Sequence, residues 1–262
     1  MKNIMKSILY EVVHAKILIR IYLIFMVIQA FLGILNVNTG SGDPTVSNML
    51  ADGGVITYEF PMLVLALIVG TIVGEDYRDK VANYEVMSGH SRISIFLSRS
   101  LMAILLAAFA CTVLVFLPLL SGFMVADWGN TLELKCVIFR YLLMFFPFLR
   151  LAAFFAVITY IVKNNHVMIA VGFGVMFAAS LLIEMLSNSN NFFISLFNFK
   201  LLTSYDGWSI YNVDPQVGIV EYNSYISSLS PNLIMGTIGA SLLMTAFYLF
   251  MGYSIFRRDD LN

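Results

Sequence analysis

The sequence predicts an all-α integral membrane protein: about six transmembrane helices, an N-terminal amphipathic helix and a short re-entrant segment between the fifth and sixth spans. The chain is 60% hydrophobic and only 12% charged, whereas soluble domains are about 25% charged. A soluble globule of this composition would expose large apolar patches. Several stretches also reach the roughly 20 mostly apolar residues that a spanning helix needs. Residues 1–262 are therefore expected to form a single transmembrane domain.

The second of the six predicted spans is the least regular, because Glu59 and Pro61 lie near its start. We expect Glu59 at the outer headgroup level, and the alternative is a shallow or broken helix. Pro118 and Pro147 predict kinks in spans three and four, because an internal proline frees a backbone carbonyl. The spans are Ile19–Val37, Val55–Gly74, Ile95–Met124, Val137–Val162, Val167–Ile183 and Leu233–Phe256.

The distribution of Lys and Arg predicts that both termini are cytoplasmic and that the chain lies in the cell membrane. Positive residues concentrate in cytoplasmic loops, and one set of alternating segments holds most of them. The opposite loops carry only Lys135 and Lys200. The basic set is Lys2, Lys6, Lys16, Arg20, Arg78, Lys80, Arg92, Arg99, Lys163, Arg257 and Arg258. Six spans also return the chain to the side of the membrane on which it starts, which agrees with both termini being cytoplasmic.

Residues 1–16 predict a separate amphipathic helix in the inner membrane interface. Ile4, Ile8 and Val12 form an apolar stripe at helical spacing, whereas Lys2 and Lys6 are polar. The alternative is a cytoplasmic extension of the first span.

The outer loop 184–231 contains an apolar stretch, Phe192–Leu202, that is too short to span. Its length suits a re-entrant or interfacial segment. The aromatic residues that mark it are Phe192, Phe193, Phe197 and Phe199.

The cytoplasmic loop 75–92 predicts a short helix over Asp76–Met87. Its first part is highly charged, and Tyr77, Val81 and Tyr84 follow at three- and four-residue spacing. Gly89 suits the helix stop, and Ser91 can cap the next helix. Such a helix is typical of a docking element, and the alternative is a solvated loop. The candidate docking residues are Asp76, Tyr77, Arg78, Lys80, Val81, Tyr84 and Met87.

Two arginines interrupt the fourth span. Arg140 and Arg150 are ten residues apart, or about 15 Å along a helix. Arg140 can extend to the outer surface, whereas Arg150 is flanked by apolar residues on both sides. A charge at midplane depth is a functional candidate. Arg150 either pairs structurally with a partner helix or water, or lines the substrate path, or reflects a span that breaks at Pro147.

Catalytic motifs are absent from the sequence, so the chain is not expected to be an enzyme or to bind a cofactor or metal. It contains no G-x-x-x-x-G-K-[ST], H-E-x-x-H or G-x-S-x-G pattern. His14, His90 and His166 are far apart and have no metal-ligand spacing. The net charge of −1 gives no basic field for nucleic acid.

Four segments of the chain resemble the permease subunits of ABC-2 type transporters. They are the basic helix Lys2–Lys16, the charged stretch Gly74–Arg78, the segment Val86–Arg92 and the C-terminal Tyr253–Leu261. The third is similar to the family's Leu-x-x-Pro-hydrophobic-Ser-Arg stretch, with Gly89-His90 where many members carry Pro. As a pattern, the resemblance extends over essentially the whole chain.

This resemblance implies a transmembrane subunit that binds a separate ATP-binding cassette subunit, on which ATP and Mg²⁺ are held. It also implies pairing with a second permease subunit, identical or similar. In the family, the short helix between spans two and three contacts the ATPase, and a re-entrant segment corresponds to Phe192–Leu202. The expected function is export of a hydrophobic or amphipathic compound, such as a peptide antibiotic or a lipid-like molecule, which would give antibiotic resistance.

The alternative function is independent of ATP: a secondary transporter, or a non-transporting sensor or assembly subunit. A secondary transporter commonly uses Asp or Glu at midplane depth, and no predicted span carries one there. The outer loops are acidic and would attract cationic peptides, although the positive-inside rule alone also explains their charge.

Overall fold

The computed structural model describes residues 2–39, 44–51, 59–74, 81–130, 133–164, 167–168, 170–171, 174, 178, 210–213, 220–223 and 231–258. These residues are mostly helical. The helices are α1 (Lys2–His14), α2 (Lys16–Thr39), α3 (Val46–Ala51), α4 (Glu59–Val69), α5 (Val81–Met87), α6 (Arg92–Gly122), α7 (Leu134–Leu143), α8 (Phe145–Val162) and α9 (Pro231–Arg258). A hairpin that the sequence did not predict pairs strand β1 (Ile210–Val213) antiparallel to β2 (Val220–Asn223).

Four helical segments are long and apolar enough to cross a membrane: Lys16–Asn38, Arg92–Gly122, Leu134–Val162 and Ile234–Arg258. They correspond to predicted spans one, three, four and six, so the prediction of helices long and apolar enough to span a membrane is confirmed for these four. Only six of the seventeen residues of the predicted fifth span, Val167–Ile183, are among the described residues.

The second predicted span, Val55–Gly74, is described from Glu59 onward, and its first four residues lie outside the described part of the chain. Helix α4 begins at Glu59 and passes into a π-helical turn at Gly70–Gly74. The described apolar part, Phe60–Gly74, extends about 22 Å at 1.5 Å per residue, against a hydrocarbon core of about 30 Å. It is enclosed by protein, with Val64, Leu65 and Ala66 fully buried.

Helix α6 is the centre of the packing. It contacts α1, α2, α4 and α8, and small residues allow close approach on its buried side, as is usual between membrane helices. Ala103, Ala107, Ala108 and Cys111 are all buried there. Helices α2 and α9 lie at the periphery. Their outward faces are apolar, which suits contact with lipid: Leu23, Ile24, Val27 and Phe31 on α2, and Leu243, Phe247 and Phe250 on α9.

The helices that contain the two internal prolines differ in continuity. Near Pro147 the helix is interrupted at one residue: α7 ends at Leu143, four residues before the proline, and α8 begins at Phe145, while Met144 between them keeps a helical φ of −60° and ψ of −20°. This is where a proline ring would clash with the preceding turn. Helix α6, in contrast, runs through Pro118 without interruption.

The N-terminal helix is separate from the first span, because α1 ends at His14 and α2 starts at Lys16. The expected apolar stripe is divided between two environments. Ile4 and Ile8 are buried within the protein core, whereas Leu9 and Val13 remain exposed. Only the second edge is available to the membrane interface.

The C-terminal end of α6, near Gly122, is tightly packed. The Cα atom of Gly33 on α2 lies so close to α6 that an added Cβ would meet the Pro118 backbone at 2.6 Å and would also clash with the Ser121 hydroxyl. The backbone amide of Val46 donates to the Asp127 carbonyl at 3.1 Å. The Ser47 amide donates to the Trp128 carbonyl at 2.8 Å, so α3 closes over the turn that follows α6.

Candidate functional site

The short helix α5 presents a partly apolar surface at the start of α6. Tyr84 is 70% exposed and Met87 is 83% exposed, although both are large side chains. The neighbouring Val86 packs against the core and Glu85 is only partly exposed. Helix α5 therefore has one face fixed on the protein and one face open.

The turn between α5 and α6 has the predicted caps. Gly89 has φ +90°, a left-handed conformation that glycine adopts without strain. The Ser88 hydroxyl donates to the Glu85 carbonyl at 2.8 Å and lies 3.1 Å from His90 Nδ1. Ser91 caps α6 by accepting from the Ser94 amide at 3.3 Å. The turn thus sets the angle between the two helices.

Only part of the predicted docking segment is described. Asp76, Tyr77, Arg78 and Lys80 lie outside the described residues, as does the side chain of Val81. The helix predicted over Asp76–Met87 is observed over Val81–Met87.

An ion pair that the sequence analysis missed joins α5 to α6. Arg99 Nη2 lies 3.1 Å from Glu85 Oε1, and Arg99 Nε donates to Glu85 Oε2 at 3.3 Å. The two contacts form a bidentate arrangement, the strong form of an Arg–carboxylate pair. Arg99 is only 5% exposed. Burial raises the pKa of the Glu85 carboxyl, and the charge of His90 opposes this shift.

The same arginine interacts electrostatically with two further elements, through Glu11 of α1 and Tyr160 of α8. The Tyr160 hydroxyl lies 2.7 Å from the Ser100 hydroxyl, and both side chains are buried. From the sequence, Arg99 was interpreted only as a loop cation. The signal that could have found its role is the Gly89–Ser91 turn, which folds Glu85 back toward the first turns of α6.

An aromatic group surrounds this N-terminal end of α6. The Phe96 ring lies 5.1 Å from Tyr160, 5.4 Å from Tyr253 and 5.7 Å from Phe256, measured between ring centroids. Aromatic pairs at these distances add stabilisation beyond their buried area. Helices α6, α8 and α9 are therefore joined near the start of α6.

The two intramembrane arginines are separated by the break at Met144. Arg140 belongs to α7, and its side chain is outside the described part of the chain. Arg150 lies on α8 and is 2% exposed, among the largest fully buried side chains. It interacts electrostatically with Tyr248 of α9. Its guanidinium is therefore inside the protein, between α8 and α9.

The predicted re-entrant segment, with Phe192, Phe193, Phe197 and Phe199, lies outside the described residues. The described part of the chain contains no group of three or more His, Cys, Asp or Glu side chains placed to hold a metal ion. Comparison with protein-family models gives no match, and a search of curated proteins finds no significantly similar sequence. The resemblance to ABC-2 permeases therefore rests on the residues quoted for it.

Proposed function

We propose that this chain is the membrane-spanning permease subunit of an ABC-2 type exporter, driven by ATP hydrolysis on a separate subunit. The observation that carries the proposal is α5, a short helix with an open face bearing Tyr84 and Met87 and an opposite face anchored on α6. Interfaces concentrate their energy in a few large side chains, among which tyrosine is enriched. A fixed helix with such side chains suits docking on another protein.

The proposal includes six spans and cytoplasmic termini, which would bring α5 to the cytoplasmic side. Two permease subunits would pair around a path across the membrane. The cargo would be hydrophobic or amphipathic, such as a peptide antibiotic or a lipid-like compound. The buried Arg150 is consistent with a polar lining among the spans. A charge at such depth is costly and usually faces protein or water rather than lipid.

Ion-coupled secondary transport is less well supported. In the described spanning helices, Asp and Glu do not occur away from the helix ends. The buried charges there are two cations, Arg99 and Arg150, and arginine does not exchange protons in the physiological range.

Cysteine labelling in intact cells tests the topology. The background is Cys111→Ala with Cys136→Ser, and single cysteines replace Tyr84 or Met124, both exposed. An impermeant maleimide should label position 124 directly and position 84 only after permeabilisation. Direct labelling at position 84 would contradict a cytoplasmic α5.

Affinity purification from the native membrane tests docking. The wild-type chain should retain a subunit with a Walker A sequence that hydrolyses Mg-ATP. Tyr84→Ala should weaken that association by roughly thirtyfold, since aromatic anchors commonly cost about 2 kcal/mol when truncated. Met124→Ala, equally exposed but outside α5, is the matched control. Equal ATPase recovery with both variants would remove α5 from the mechanism.

A further inference from the structure

At the inner end of α6, the buried cation Arg99 interacts with side chains of α1, α5 and α8. Arg99 forms an ion pair with Glu85 of α5. It also interacts electrostatically with Tyr160 of α8 and Glu11 of α1. Glu85 is the one acidic residue in the sequence of α5, Val81–Met87, and it lies on the face opposite to Met87.

The pair fixes the direction of the open face of α5. A helix of seven residues has little stability of its own, so contacts with α6 must hold it. Val86 supplies an apolar contact, but an apolar contact is non-directional. The two Arg99–Glu85 contacts, at 3.1 and 3.3 Å, add the directional constraint.

A movement of α5 would also displace side chains that contact the spanning helices. Arg99 follows Phe96 by one helical turn, and Phe96 contacts the rings of Tyr160, Tyr253 and Phe256. One turn of α6 therefore contacts α5 through Arg99, and contacts α8 and α9 through Phe96.

We propose that Arg99 is a positioning residue, which orients the open face of α5 and links its movements to the spans through the ion pair with Glu85. The orienting role stands on the geometry of this chain alone. The link to ATP hydrolysis rests on the proposed function.

Hydrogen exchange of the full-length protein in lipid nanodiscs tests the orienting role. Arg99→Gln should raise amide exchange across 84–90 by about tenfold or more, because removing one partner leaves a largely buried carboxylate uncompensated. The charge swap, Glu85→Arg with Arg99→Glu, should restore most of the protection. Glu133→Gln, which neutralises an exposed acid beyond the outer end of α6, is the matched control and should change nothing.

Two results would overturn the orienting role: unchanged exchange in Arg99→Gln, or a charge swap that fails to restore protection in a protein that remains folded. Glu85→Gln gives a second measure should Arg99→Gln not fold, because Glu85 is less buried. It should loosen the same amides, and unchanged exchange would count against the proposal.

The link to hydrolysis has its own readout. With the ATPase subunit retained by the wild type, Arg99→Gln should lower the rate of Mg-ATP hydrolysis by the complex in nanodiscs more than it lowers binding of that subunit, and the charge swap should recover both. Equal losses without recovery would contradict the link. Absence of any ATPase from the wild-type purification would instead overturn the proposed function, and the exchange result would still decide the orienting role.

Discussion

The two ends of α6 are held in place by different kinds of contact. At the Gly122 end, which the proposed topology makes the outer end, Gly33 of α2 packs against the Pro118 backbone, and amides of α3 donate to carbonyls beyond the helix. At the Arg92 end, which the same topology makes the inner end, the contacts are side chain to side chain: the Glu85–Arg99 ion pair, the Ser100–Tyr160 hydroxyl pair and the rings around Phe96.

This difference indicates which end is able to change. Backbone contacts through glycine depend on close packing, and packed interiors resist displacement. Long side chains such as Arg and Glu can re-pair over several ångströms by changing rotamers. If α5 binds a cytoplasmic partner, as proposed, the adjustable contacts lie on the side of that partner. We therefore expect the Gly122 end of α6 to stay fixed and the Arg92 end to respond.

The largest effect is expected from Gly33→Leu. The added side chain meets the Pro118 backbone, which cannot move aside without separating α2 from α6. Overpacking at such a crossing commonly costs about 1–3 kcal/mol, and more when backbone is involved. Size-exclusion chromatography of the purified protein should show little folded material. Gly239→Leu on α9, where an added Cβ meets nothing within 4 Å, is the control. Equal yields of the two variants would contradict the close crossing.

A smaller loss is expected from Tyr160→Phe at the inner end. It removes the 2.7 Å contact with Ser100 and leaves that hydroxyl buried. The cost should be about 1 kcal/mol, within the range measured for hydrogen bonds between membrane helices. Steric trapping in bicelles measures the free energy of unfolding. If adding Ser100→Ala to Tyr160→Phe costs as much as it does in the wild type, the two hydroxyls are not coupled.

The smallest effect is expected from Ser91→Ala, which removes the N-cap of α6. The cap is exposed, so the loss should be about 0.5–1 kcal/mol. Hydrogen exchange should increase in the first turn of α6 and stay unchanged beyond Gly122. Ser91→Asp retains an acceptor and should behave like the wild type. Faster exchange at both ends of α6 would contradict the independence of the two ends.

Much of the fold could be predicted from composition, because apolar length alone locates α2, α6 and α9. The caps at Gly89 and Ser91 were also predictable, since they depend on local backbone chemistry. The π-helical turn at Gly70–Gly74 and the interruption at Met144 were harder, because each depends on what surrounds the helix. Arg99 was missed for a related reason: a cation beside a span suits the positive-inside rule as well as an ion pair, and only the packing of α5 on α6 distinguishes them.

The central claim is that α5 lies in the cytoplasm and binds an ATPase subunit, and photo-crosslinking tests it most directly. A photoreactive amino acid at position 84, in cells that express the protein, should form an adduct with a protein that carries a Walker A sequence. The same amino acid at position 124 should form none with that protein. Adducts from position 84 only with lipid, or with a protein on the outer side, would contradict the account.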